Sequence, residues 1–436
     1  MHIVIVNRWP RFRDERRWDN ELTRYEDFFD HQQHQISYVV DAPGAEGVLA
    51  PAQQIAHQVQ VGDVNQYEQL LAAVEEVIAR VGPVDQLIAL SEFTLEIAAR
   101  VRQTLNIPGH GPDEVAVYRD KARMKEILQA KGLRVPPFAR CQSVEQALHF
   151  AREIGFPLIV KPVDGAASMG VEKVEDEPAL RKLLNDIELS RYEIEGFMHG
   201  QTYHIDGFAD VDGSVPFQVV SRYINSCLDF AKAQPLGSVI VQKSALRTRI
   251  EAFSKQILQA LNLRCTAFHL EIFVEPDDSL VFLEIGARVG GSEVPHLINK
   301  VFGVNLYEHW LRRLAGEQVP LPAVSHDPSG GWLVIPKPAR LPCRVLRADS
   351  LRAELPNLWR ELLPEPGQIL EAGGSYDALH SGRFIFVGGS EVATENDIRH
   401  VPRPSNSRPN RYERHHVAAL QRRVVARSAQ SLFLRR

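Results

Sequence analysis

The stretch Ala267–Gly291, AFHLEIFVEPDDSLVFLEIGARVGG, constrains this chain more than any other. Two apolar runs rich in Phe, Val, Ile and Leu flank Pro276-Asp277-Asp278-Ser279, a spacing that predicts strand, turn, strand. A turn closing on Glu275 and Leu280 sets the cross-strand register. Val274 then faces Val281, Phe273 faces Phe282, Glu271 faces Glu284, His269 faces Gly286 and Ala267 faces Arg288. Opposite residues share one face with Cβ atoms roughly 5 Å apart, so two carboxylates there repel unless a cation sits between them. Hard carboxylate oxygens favour Mg2+, which keeps waters and phosphate oxygens as its other ligands. His269 and Arg288 fall on this same face. The plain alternative is a solvated hairpin face that happens to carry two acids; Phe273 and Phe282 on that face weaken it.

At 436 residues the chain exceeds one ordinary core and implies several domains. Hydrophobic residues at 44% and charged residues at 24% are those of a soluble globular protein. No apolar run approaches a membrane span, and the start MHIVIVNRWP lacks a basic n-region and a cleavage site, so no membrane partner is expected. Cys141, Cys227, Cys265 and Cys343 are scattered without CxxC spacing, which points to reduced thiols and a cytoplasmic location. The net charge of −5 is uneven: nine Arg and one Glu give residues 401–436 a charge of +8 and leave −13 on the rest. Such a tail can bind nucleic acid, but its Pro, Ser and Asn content reads more simply as a disordered terminus, and a nucleic-acid partner is not expected.

In chain order, Ile3–Val6, Ile36–Val40, Gln58–Val61 and Leu87–Leu90 read as strands, with helices over 65–80 and 96–105 between and after them. This alternation predicts a small open parallel sheet. Asn7-Arg8-Trp9-Pro10 stands where a dinucleotide fingerprint would follow the first strand, so no dinucleotide cofactor is expected. Arg8, Trp9 and Glu92 lie near strand ends, where ligands often sit. A second block opens near Tyr118 with a helix over 120–131, a weakly capped helix from Ser143 to Ile154 and a strand Leu158–Pro162 carrying Lys161. The loop Asp164–Val171 is rich in small residues, so its backbone N–H groups and the Ser168 hydroxyl can approach phosphate oxygens. A helix over 178–189, an alternating strand Gln201–Phe208, a helix over 248–261 and, beyond the hairpin, a helix over 305–314 follow. From Val319 to Arg399 short strands among Pro and Gly predict a small β-rich lobe.

Five motifs follow in order: Asp120-Lys121, Ile159-Val160-Lys161-Pro162, Glu195-Gly196-Phe197-Met198-x-Gly200, Phe268-His269-Leu270-Glu271, and Leu283-Glu284-Ile285-x-x-Arg288-x-Gly290-Gly291. Together they resemble the ATP-grasp superfamily, especially its carboxylate–amine ligases of the L-amino acid ligase and carnosine synthase type. The resemblance spans residues 85–316 and implies an α/β and α+β multidomain chain with an ATP-grasp fold. Its parts are an N-terminal Rossmann-like pre-ATP-grasp domain (1–117), a central lobe (118–190), a C-terminal ATP-grasp lobe with the metal hairpin (191–316), a β-rich C-terminal lobe (317–400) and the basic tail (401–436). It also implies roles. Lys121 and Lys161 hold the ATP phosphates; Ala167 and Ser168 belong to the loop that covers them. Glu195 accepts from the adenine amino group, and the Gly196, Phe197 and Met198 backbone reads the adenine edge. Thr202 stands at the ribose position, Glu271 and Glu284 bind Mg2+ (Mn2+ as an alternative), and His269, Arg288 and Gly291 line the substrate side. Arg288 would bind the acyl phosphate and stabilise the tetrahedral intermediate. Two departures stand out: Thr202 replaces an acid common in relatives, and Gly286 replaces an Asn.

The implied reaction is ATP-dependent activation of an amino acid carboxylate as an acyl phosphate, followed by amide formation with an amine. The partners are then a small-molecule carboxylate and amine, and a homodimer is compatible with the reading. Rival readings are an ATP-grasp carboxylase or purine-pathway enzyme, and a non-catalytic nucleotide-binding protein.

Overall fold

The computed structural model describes residues 1–11, 17–165, 170–323, 326–338, 340–372, 380–401 and 412–414. Strands β1 (His2–Asn7), β2 (Gln35–Val40), β3 (His57–Gln60) and β4 (Gln86–Ala89) form an all-parallel sheet in the order β3-β2-β1-β4. Ile3, Val4 and Ile5 are fully buried because both sheet faces are covered, one by the helices Tyr67–Val81 and Leu95–Leu105. The first helix stops at Gly82, whose φ of 123° is open to glycine alone among ordinary residues.

The helix Lys121–Ala130 follows, capped by Asp120, whose carboxylate accepts from Arg123 N–H at 3.0 Å. The chain then enters a small lobe of β5 (Phe138–Ala139), β6 (Leu158–Pro162), β7 (Glu172–Val174) and β8 (Tyr192–Gly196), in the order β5-β8-β6-β7. The helices Val144–Ile154 and Glu177–Asp186 cover one face, with Leu148, Ala151, Leu180 and Leu184 in a common core. Because β8 pairs with β6, this lobe extends to Gly196, past the boundary expected at residue 190.

The large sheet is antiparallel. It begins with β9 (Gln201–Ala209), β10 (Phe217–Tyr223), β11 (Leu236–Ile240), β12 (Thr266–Val274) and β13 (Leu280–Gly286). The 317–400 segment, expected as a lobe by itself, adds β14 (Gly330–Pro336), β16 (Leu358–Leu362) and β18 (His380–Val387) to the same sheet, ordered β13-β12-β9-β10-β11-β14-β18-β16. A short strand, β15 (Cys343–Val345), pairs on one side with β17 (Ile369–Leu370) and on the other with β19 (Tyr412–Arg414) in a separate three-stranded sheet. Apart from Val401 and residues 412–414, the basic tail lies outside the described residues, as do Ala167 and Ser168.

The hairpin of β12 and β13 forms where expected, and Glu271 pairs with Glu284 and His269 with Gly286. Nearer the turn the register slips by one: Phe273 faces Val281 and Val274 faces Leu280, not Phe282 and Val281. The cause is a bulge at Leu283, an extra residue that no partner opposes. It turns Phe282 to the other face, where it is fully buried with Phe268, Leu270 and Ile272, so Phe282 does not share the carboxylate face. The helix Val294–Phe302 after the hairpin was not expected; Pro295 in its first turn and Gly303 (φ 70°) as C-cap are compatible with it. Among the described residues no helix is long and apolar enough to cross a membrane.

Candidate active site

Period-two alternation on β12 gives the strand one apolar and one chemical face. Phe268, Leu270 and Ile272 are core residues, while Glu271 and Phe273 line a cavity of about 510 Å³ between the small lobe and the large sheet. The opposite wall comes from Ile159, Lys161, Glu195 and Phe197 of the small lobe, with Lys121 at one end. Thr202 and Glu284 also line it.

Glu271 and Glu284 face each other across the hairpin. Lys121 Nζ lies 3.4 Å from Glu284 Oε2 and donates to the Gly165 carbonyl at the edge of the small-residue loop. Glu271 Oε1 accepts from Tyr223 Oη at 2.7 Å, and His269 Nε2 is 3.4 Å away. Burial opposes the charge on Glu271, but the His269 and Tyr223 contacts outweigh it and hold its carboxyl below the usual range. Two facing carboxylates with a cavity before them are the donor set a hard divalent cation takes, so these residues fit Mg2+ or Mn2+.

A buried ion cluster closes the small-lobe side. Lys161 Nζ lies 2.8 Å from Glu195 Oε1 and 3.6 Å from Glu193 Oε1. Lys125 Nζ bridges Glu193 Oε1 at 2.5 Å and Glu195 Oε2 at 2.6 Å. Burial alone would raise the Glu195 carboxyl, yet Lys125 and Lys161 hold it well below the usual range; the same carboxylates push the Lys161 ammonium up against the effect of burial. Lys125 and Glu193 were not singled out from the sequence. Their signal was there: Lys125 is one helical turn from Lys121, and Glu193 is two strand positions from Glu195.

Beyond β8 the backbone turns toward the cavity. Gly196 N–H donates to the Pro137 carbonyl at 2.8 Å and Phe197 N–H to the Pro157 carbonyl at 3.2 Å. Of the three residues expected to meet an adenine edge, Met198 thus keeps its N–H uncommitted among the described residues. The Phe197 ring carries Lys173 Nζ 4.3 Å above its centroid.

Arg288 sits just past β13, half-buried, with Nε 2.6 Å from Glu92 Oε2. Glu92 also accepts from Arg119 Nη1, and Arg119 Nη2 donates to the Asp164 carbonyl at 2.8 Å. Glu92 therefore ties the N-terminal domain to both the Arg288 loop and the small-residue loop. Burial opposes its charge, but Arg288 and Arg119 bring its carboxyl down to about 2. Arg119, like Tyr223, was missed in the sequence because its partner is a residue far along the chain. Of the other strand-end residues, Arg8 stacks over Phe93 at 5.5 Å and Trp9 packs edge-on to Tyr307, with ring centroids 6.1 Å apart. His269 Nδ1 is 2.8 Å from Asp206 Oδ1. Gly291 follows the Arg288 loop with open space around it.

The profile of the ATP-grasp domain matches residues 154–296, the segment that supplies Lys161, Glu195, Glu271, Glu284 and Arg288. The L-arginine-specific L-amino acid ligase of Bacillus subtilis is 27% identical over 241 residues, covering 53% of this chain and 58% of that one. The carbamoyl phosphate synthase large chain of Xanthomonas axonopodis pv. citri is 26% identical over 230 residues, covering 50% of this chain and 21% of that one. The matches thus span less than two thirds of either relative's length. The crystal structure of L-amino acid ligase from Bacillus licheniformis superposes with a TM-score of 0.68 at 20% identity, over 91% of this chain and 96% of that one. Residues 154–296 match an ATP-grasp domain, and this chain has the ATP-grasp fold.

Proposed function

We propose that this chain is an ATP-dependent carboxylate–amine ligase that activates an amino acid or related carboxylate as an acyl phosphate and joins it to an amine. The observation that carries this is the pairing of Glu271 with Glu284 across one hairpin, with Lys121 3.4 Å from Glu284. A pure nucleotide binder has no need of two facing carboxylates. The choice of ligase over carboxylase is supported by the similarity to an L-amino acid ligase.

The carboxylate oxygen attacks the γ-phosphorus and ADP leaves; the neutral amine then attacks the acyl carbon, phosphate leaves and the amine gives up a proton. Glu271 and Glu284 would hold Mg2+, which would supply positive charge at the phosphate oxygens. Lys121 and Lys161 hold those oxygens. Glu195 fixes Lys161 and faces the adenine amino group, while Met198 N–H meets the base edge and Thr202 the ribose. Arg288 receives the acyl phosphate and the developing oxyanion, with His269 and Gly291 beside it. Glu92, on the opposite side of Arg288, orients that guanidinium. Closure of the cleft excludes water, which would otherwise hydrolyse the acyl phosphate. A cytoplasmic location and a homodimer complete this reading.

The test is ADP and phosphate release with pairs of amino acids, with the product identified by mass spectrometry. Turnover should require an amino acid, and Glu284→Ala or Arg288→Ala should abolish it. ADP release that depends on bicarbonate and ignores amino acids would favour a carboxylase instead, and wild-type turnover in either variant would remove this site.

A further inference from the structure

Behind Glu271 runs a chain of buried polar groups that the phosphate chemistry does not use. β9 and β12 pair so that His204 stands opposite Glu271 and Asp206 opposite His269. His204 and Asp206 are each 1% exposed. Asp206 Oδ2 accepts from His204 Nδ1 at 2.6 Å, and Oδ1 accepts from His269 Nδ1 at 2.8 Å. Ser238 Oγ donates to the Arg222 carbonyl at 3.1 Å and lies 2.7 Å from His204 Nε2, so the His204 ring is held at both ends.

This chain ends on one oxygen of Glu271. Tyr223 Oη donates to Oε1 at 2.7 Å and His269 Nε2 lies 3.4 Å from that same atom. Oε2 makes no hydrogen bond to the described residues, and Glu271 lines the cavity. The Arg288 loop also closes on the group. A Cβ on Gly290 would lie 2.3 Å from Asp206 Oδ1 and 3.1 Å from His269 Nδ1.

The donor atoms of His204, Asp206 and His269 lie within 4.8 Å of one another, a spacing a metal ion could span. Here, however, the two short N–H···O contacts engage both Nδ1 atoms and both carboxylate oxygens with each other. An ion would have to break both and add charge to a buried site that already holds its own counterions.

We propose that Asp206 is a positioning residue: through His269 it holds one oxygen of Glu271 back, leaving the other for the divalent cation, and its carboxylate seats the loop that carries Arg288. The proposal rests on the reading of Glu271 as a cation ligand. Outer-shell partners of metal ligands typically cost about 10–100-fold in affinity or activity when removed.

The experiment is Mn2+ binding to the full chain with ADP present, followed by electron paramagnetic resonance. Asp206→Asn should raise the Mn2+ dissociation constant about tenfold, while ADP affinity measured in EDTA stays at the wild-type value. Tyr223→Phe deletes the other partner of Oε1 and keeps the ring; it should weaken Mn2+ in the same way, and it serves if Asp206→Asn does not fold. Wild-type Mn2+ affinity in either folded variant would overturn the proposal. So would stoichiometric zinc or iron in the purified protein that Asp206→Asn loses. Absence of Mn2+ binding by the wild-type chain with ADP would instead overturn the cation-ligand reading itself, and the proposal with it.

Discussion

Lys125 offers the sharpest test of how the small lobe holds its cavity-facing wall. Its ammonium is fully buried between Glu193 Oε1 at 2.5 Å and Glu195 Oε2 at 2.6 Å. At an effective dielectric of about 20, each contact has a gross attraction of about 6 kcal/mol, most of it offset by dehydration of the three ions. Removing one partner of a buried pair leaves an uncompensated charge and costs about 3–5 kcal/mol. Whole domains are stable by only about 5–15 kcal/mol. Lys125→Met keeps the length of the stem but leaves two carboxylates to one lysine, Lys161, 2.8 Å from Glu195 and 3.6 Å from Glu193. The variant should melt at lower temperature, exchange amide hydrogens faster in Leu158–Pro162 and Tyr192–Gly196, and bind ATP more weakly, because Lys161 is drawn further onto the carboxylates. Adding Glu193→Gln restores the charge balance and should recover more than half of the lost stability. A loss below about 1 kcal/mol in the single variant, or a double variant no more stable than the single one, would refute the reasoning.

Glu92 carries a pH dependence. Its carboxyl is lowered from 4.5 to about 2 in the fold, so its contribution is present above pH 4.5 and is lost as pH falls toward 2. Glu92→Gln should flatten that part of the acid-unfolding curve, read by circular dichroism; an unchanged acid limb would mean the Arg288 contact adds nothing. Gly290→Ala should lower turnover at least tenfold without loss of ADP binding, since its Cβ would lie 2.3 Å from Asp206 Oδ1. Kinetics like those of the wild type would show that the Arg288 loop does not rest on Asp206.

The pairing of Glu271 with Glu284 was read correctly although the turn was not: Val274 and Leu280 close the hairpin in place of Glu275 and Leu280, and the bulge at Leu283 brings the two carboxylates back opposite each other. The bulge was not legible. Phe282 and Leu283 are both apolar, so hydrophobic pattern cannot tell which of them is the extra residue; only the packing of Phe282 with Phe268 decides it. Lys125 and Glu193 are 68 residues apart, and nothing local to either announces the other. The same holds for Glu92 and Arg288, whose meeting depends on how the N-terminal sheet docks. The strands of 330–387 looked like a lobe of their own because strand identity is local while sheet membership is not; Trp332, Val334 and Ile385 bury themselves in the main core. The helix Val294–Phe302 was hidden by Pro295, which breaks a helix interior but is tolerated in a first turn.

The chain enters the small lobe through Gly132–Pro137 and leaves it through Phe197–Gly200, and these spans run side by side. Gly196 N–H donates to the Pro137 carbonyl at 2.8 Å, Phe282 N–H holds the Arg134 carbonyl at 2.9 Å, and Gly200 N–H is fixed to Glu275 Oε1 at 2.8 Å. A plate hung from two adjoining cords can tilt about the line they define but resists sliding along it. That line borders the cavity, which Phe197, Met198, His199 and Gly200 line. Whatever occupies the cavity beside Phe197–Gly200 would touch that pivot, and a tilt of the plate would change how far Lys161 stands from the two hairpin carboxylates.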